Sequence, residues 1–183
     1  MVMKEKTAPE ALTEGAGIAG GKGQEPEAFR CGDLDVEECP YYLITRVSLA
    51  TTAALKRGFV EAGIGFIRPA YLGSLMSLWR EDGLKMIDLG RRAGLEPSTM
   101  TGLLDRMERD GLVERRPDPT DRRVLKIFLT EAGARAREAV IGIVDRTLAG
   151  VFSEVGADEI EALKGLMRKV LINVREEKVD ESC

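Results

Sequence analysis

The stretch from Ile87 to Leu129 limits the fold more than any other part of this chain. Ile87 to Ala93 reads as a short helix stopped by Gly94, a residue suited to the left-handed conformation just past a helix end. Leu95 and Glu96 make a tight turn, and Pro97, with its fixed φ, opens a second helix that runs to about Asp110 and closes at Gly111. Within it Met100, Leu103, Leu104 and Met107 recur at spacings of three and four, which puts them on one inward face with Leu112 following the turn. Val113 to Arg116 then reads as a short strand, Pro117 to Arg123 as a polar loop, and Val124 to Leu129 as a second strand. Helix, tight turn, helix and hairpin in that order predict a winged helix-turn-helix, with its reading head from about Leu84 to Leu129.

The flanks are helical. Tyr41 to Ala62 carries a broad apolar stripe and ends at Gly63 and Gly65, and Arg68 to Arg80 is nearly all apolar, which places it at the centre of the core. Thr130-Glu131 starts a helix reaching about Phe152, and Asp158 to Arg175 forms a last amphipathic helix, with a frayed end beyond Glu176. Residues 1–38 form an acidic, glycine-rich leader with little apolar periodicity, expected to be disordered. The fold class is therefore mainly α with a small β-wing: one domain over residues 39–183, with pairing helices at about 41–62 and 131–175 and a head at about 66–129.

A helix-turn-helix presents the N-terminal residues of its second helix to base edges. That position needs small polar side chains, so that the backbone can approach the groove. Ser98, Thr99, Thr101 and Gly102 fit it, and Arg106 and Arg109 lie one and two turns further along. Hydroxyls can meet phosphates or bases, and arginine can reach phosphate or guanine. In the loop Arg122 and Arg123 stand side by side at a tip where they could enter a narrow minor groove, with Asp121 placed to orient one of them. Plain N-terminal helix chemistry for Ser98 and Thr99, and a solvated turn for the loop, are the bland alternatives.

The formal net charge of −4 does not oppose a nucleic-acid partner, because its distribution is uneven. Residues 1–40 hold four bases and nine acids, residues 154–183 five bases and eight acids, and the middle is +4. The chain has no histidine and its three cysteines form no CxxC pair, which excludes imidazole-based metal sites and Ser–His or Cys–His nucleophiles. No cofactor and no metal are expected. With no apolar run of about 18 residues and no signal-peptide core, neither a membrane partner nor export is expected, and the location is read as cytoplasmic. The acids fall on solvated helix faces and mark no enzyme site.

The run from Ile87 to Val140 resembles the MarR family of bacterial regulators. The specific pieces are LLDRMERDGLVERR, DPTDRR and LTEAG, and the similarity in helix order covers about Pro40 to Arg175. The resemblance implies a homodimer built by the first and last two helices, each subunit presenting one winged head to a pseudo-palindromic duplex operator. It further implies a repressor released by a small phenolic or apolar effector, or by an oxidant.

Two sensors follow from it. Tyr42, Phe66, Tyr71, Met76 and Trp79 are candidates for an apolar ligand pocket, although core packing would use the same residues. Cys39, just before Pro40, stands close to the reactive cysteine of the family's redox branch, where a thiolate near a helix start is more easily oxidised. Glu37 and Glu38 oppose thiolate formation, and Arg68 stands where that branch has a tyrosine. A winged-helix module for protein–protein contact is the remaining alternative.

Overall fold

The computed structural model describes residues 36–121 and 123–180, without the side chains of Val36 and of residues 175–180. The leader predicted for residues 1–38 lies outside the described residues, apart from a single 3-10 turn at Val36–Glu38. The chain divides into two units, Met1–Leu43 and Ile44–Cys183. In the first, Leu43 N–H donates to the Cys39 carbonyl at 3.0 Å as helix α1 begins.

Six helices and three short strands are described: α1 (Pro40–Glu61), α2 (Leu72–Arg80), β1 (Leu84–Lys85), α3 (Met86–Ala93), α4 (Pro97–Arg109), β2 (Val113–Pro117), β3 (Leu125–Leu129), α5 (Glu131–Val151) and α6 (Ala157–Asp180). The strands form one antiparallel sheet in the order β1-β3-β2. In the hairpin Val113 faces Leu129 and Pro117 faces Leu125, a register that sends alternate side chains inward.

The core is where the helical spacing put it. Leu75 and Leu78 of α2, Leu89 of α3, the four inward residues of α4, and Ile127 of β3 form one buried cluster with Phe59 and Val140. Its contacts are apolar, mostly aliphatic, and therefore weakly directional. Orientation has to come from polar anchors, and several stand at its edge. Trp79 Nε1 donates to the Gly133 carbonyl at 2.9 Å, tying α2 to α5. Thr130 caps α5, accepting the Gly133 N–H at 3.0 Å while its hydroxyl donates to the Gly111 carbonyl at 2.6 Å.

Four expectations change. Met76 is not core but 52% exposed, because a nine-residue helix turns one face inward and Leu75 and Leu78 occupy it. The segment before α2 starts as a 3-10 turn, Pro69–Tyr71. Leu84-Lys85, read only as the residues after a turn, is an edge strand paired with β3. Finally, α6 continues to Asp180, past the fraying expected from Glu176.

Candidate nucleic-acid interface

Gly94 closes α3 at φ +69°, and its neighbour Leu95 N–H donates to the Gly90 carbonyl at 2.9 Å. The chain is thereby turned straight into α4, whose N-cap is Glu96, with no side-chain capping bond. Ser98 and Thr99 are thus not the cap and stand exposed in the first turn. Thr101 is exposed too, its hydroxyl donating to the Pro97 carbonyl at 3.0 Å, which leaves its oxygen able to accept. Gly102 is half-buried, and a side chain there would lie 3.6 Å from Arg106 Nη1, so the guanidinium of Arg106 lies over it. Arg109 is exposed. These six residues share a helix whose opposite face is wholly sequestered by Met100, Leu103, Leu104 and Met107.

The hairpin is fastened to that helix by Arg115. Its Nη2 meets Asp105 at 2.6 Å, its Nη1 meets Glu108 at 2.5 Å, and its backbone N–H donates to Glu108 at 3.2 Å. The fork of one guanidinium therefore bridges two carboxylates one turn apart on α4 and fixes the base of the wing against it. Arg116, on the other face of β2, pairs with Glu114 and stacks on the Phe128 ring at 4.8 Å.

The tip is built on Asp118, whose side chain is 8% exposed. It accepts the Thr120 hydroxyl at 2.6 Å and the Thr120 N–H at 2.8 Å, and pairs with Lys126 at 3.0 Å. Those bonds, the Thr120 hydroxyl first, hold its carboxyl far below the usual carboxylate range. Asp121 accepts the Arg123 N–H at 3.0 Å, so it shapes the backbone at the tip, and the Arg123 side chain is exposed. Arg122 lies outside the described residues.

Two residues that organise this face went unassigned in the sequence reading: Arg115 and Asp110. Asp110 sits at the end of α4 and accepts the Tyr71 hydroxyl at 2.7 Å, with Arg68 at 3.8 Å. The spacing Asp118-x-Thr120 was a readable signal, since an aspartate accepting from a residue two positions on is a common turn former. Nothing local in the sequence announces Arg115 or Asp110, whose partners are brought close only by the fold.

The sensor candidates are dispersed. Tyr71 is fully buried and Trp79 half-buried, both with their polar atoms bonded, whereas Phe66 is exposed. Met76 lines an open depression of about 670 Å³ with Ser77, Arg80, Glu81, Arg91 and Arg92. Tyr42 and Cys39 are half-buried within the N-terminal unit. Among the described residues no group of three or more Cys, Asp or Glu is placed to hold a metal ion. No helix among them is long and apolar enough to cross a membrane.

Comparison with known proteins places this geometry. The model of the MarR family matches residues 72–125, from the start of α2 to the first residue of β3. The chain is similar to the organic hydroperoxide resistance transcriptional regulator of Bacillus subtilis (strain 168), 34% identical over 103 residues, covering 56% of this chain and 68% of that protein. It is 38% identical over 95 residues to the HTH-type transcriptional regulator TtmR of Methylorubrum extorquens (strain PA1), 52% of this chain but only about half, 47%, of that protein. Among solved structures it resembles a mutant MarR from E. coli complexed with operator DNA, at TM-score 0.67 and 28% identity over 76% of this chain and 99% of that one.

Proposed function

The chain belongs to the MarR family of DNA-binding transcriptional regulators, and from that premise we propose that it acts as a homodimeric repressor reading a pseudo-palindromic duplex. The observation that carries this reading is the exposed, hydroxyl-rich start of α4 beside a wing held rigid to the same helix by Arg115. Ser98, Thr99, Thr101 and Gly102 approach the major groove, while Arg106 and Arg109 reach its phosphate edge. Arg123, with Arg122 beside it in sequence, enters the adjacent minor groove.

The terminal helices support pairing of two heads. In α1, Ile44, Val47, Leu49 and Val60 are exposed, and in α6 Leu166, Val170, Leu171 and Val174 are exposed. Apolar surface on this scale, on two long helices, suits burial against a second copy. The similarity to a MarR protein solved in complex with operator DNA supports duplex DNA as the partner.

An effector then releases the DNA. In the first reading that effector is a small apolar or phenolic molecule. A second reading, oxidation of Cys39, is favoured by similarity to a regulator named for organic hydroperoxide resistance. The two separate cleanly: Cys39→Ser abolishes a peroxide response and leaves a ligand response intact.

The DNA reading is tested with Arg123→Ala and a duplex that the wild type selects. We expect a loss of about 1–3 kcal/mol, roughly 5- to 150-fold in affinity, with the dimer intact by sedimentation. Unchanged affinity at physiological salt would remove Arg123 from the interface.

A further inference from the structure

We propose that the hydrogen bond from Tyr71 to Asp110 is a positioning latch that sets the pose of α4, and that duplex discrimination depends on it. The inference rests on the DNA-binding reading above and adds residues outside the contact face.

The cap of α4 does not need the Asp110 side chain. The Asp110 N–H donates to the Arg106 carbonyl at 2.9 Å, Gly111 N–H to Glu108 at 3.0 Å, and Leu112 N–H to Met107 at 2.9 Å. The helix end is complete through its backbone. The carboxylate instead reaches out and takes the hydroxyl of Tyr71, a residue with no exposed surface, 39 positions earlier in the chain. Burial and the Asp110 carboxylate, in that order, push the Tyr71 phenol up from its ordinary range, so it remains a donor. Arg68 stands on the open side of the same carboxylate.

A phenylalanine would fill the ring position equally well. What the hydroxyl adds is direction. The four apolar residues of α4 fix how deeply it lies on the core, yet aliphatic contacts resist rotation and sliding along the axis only weakly. A short bond to a carboxylate at one end of the helix resists both. The other end carries Ser98 and Thr99, so a small pivot at Asp110 is enlarged where bases are read. Tyr71 also ends the turn Pro69–Tyr71 that leads from Phe66 into α2, so displacement of that segment is delivered to α4.

The test compares Tyr71→Phe, Asp110→Asn and the double variant. Each is titrated, at one salt concentration, against the duplex selected by wild type from a random pool and against a random duplex, with melting temperature and sedimentation measured in parallel. Tyr71→Phe, which changes no charge, is expected to lose about tenfold in affinity for the selected duplex and less than twofold for the random one. Asp110→Asn keeps an acceptor and is expected to retain more discrimination than Tyr71→Phe, and the double variant to be no worse than Tyr71→Phe alone. A Tyr71→Phe protein that melts earlier but discriminates like wild type overturns the latch, as does parallel loss on both duplexes. Should Tyr71→Phe fail to fold, Asp110→Ala, which removes the acceptor, decides: wild-type discrimination in that variant overturns the proposal, and its loss supports it. A wild type that selects no duplex overturns the DNA reading itself, and with it the latch.

Discussion

Replacing Gly133 by alanine separates local helix preference from tertiary packing, because the two predict opposite signs. Gly133 lies in the first turn of α5. A methyl group there would sit 2.0 Å from the Leu112 carbonyl oxygen, 3.0 Å from its carbonyl carbon and 3.3 Å from Leu129 Cδ2. Non-bonded carbon and oxygen approach to about 3.3 Å, so α5 and the Leu112 backbone must separate by more than an ångström. Neither yields easily. Leu112 is fully buried and its oxygen accepts the Thr130 N–H at 3.1 Å, while the Gly133 carbonyl holds Trp79. Overpacking costs about 1–3 kcal/mol, the upper end being apt for so short a contact, and the strained Thr130 bond about 1 more. Alanine recovers about 1 kcal/mol through helix propensity. The net is a loss of about 3 kcal/mol out of the 5–15 typical of a domain, or roughly 10 °C in melting temperature. Urea unfolding followed by circular dichroism, at fixed protein concentration because pairing couples to folding, measures it. An alanine variant as stable as wild type, or more stable, would refute the packing argument in favour of propensity.

Arg115→Ala should cost about 1–2 kcal/mol, discounted because Asp105 and Glu108 are themselves partly exposed, and should weaken duplex binding. Arg115→Lys should fall between, since an ammonium cannot span both carboxylates; equal stability of all three in thermal unfolding would dismiss the clamp. The depressed Asp118 pKa makes the stability of the wing acid-sensitive: its contribution is fully present above the ordinary carboxylate value of about 3.9 and is lost as pH falls from there through the lower folded value. Protection of the Thr120 amide, its exchange rate divided into the intrinsic rate at each pH, should therefore hold steady from pH 8 to 5 in wild type and fall in Asp118→Ala; equal protection in the two would mean that Asp118 does not hold the tip.

The helix-turn-helix was legible because its signals are local. Gly94, Pro97 and Gly111 punctuate the chain, and Met100, Leu103, Leu104 and Met107 mark one face within a single helix. The LTEAG run turned out to have a physical reason, a capping threonine and a glycine that admits the Leu112 carbonyl. Periodicity failed at Met76, where an apolar residue on a short helix faces outward, and at Leu84-Lys85, too short to show alternation. Arg115 and the Tyr71–Asp110 pair were illegible for another reason. Their partners are set by how α2, α4 and the hairpin pack, and no spacing within one element encodes that.

Selection of duplexes from a random pool, followed by titration of the winner against salt, tests most directly whether the α4 face and wing read DNA as a pair of heads. The prediction is an enriched inverted repeat with half-sites one helical turn apart, about 34–36 Å, bound at least about 10³-fold more tightly than random duplex and with a steep inverse dependence on salt. A pool with no enriched sequence, or binding indifferent to salt, would contradict it and leave the winged helix as a surface for protein contact.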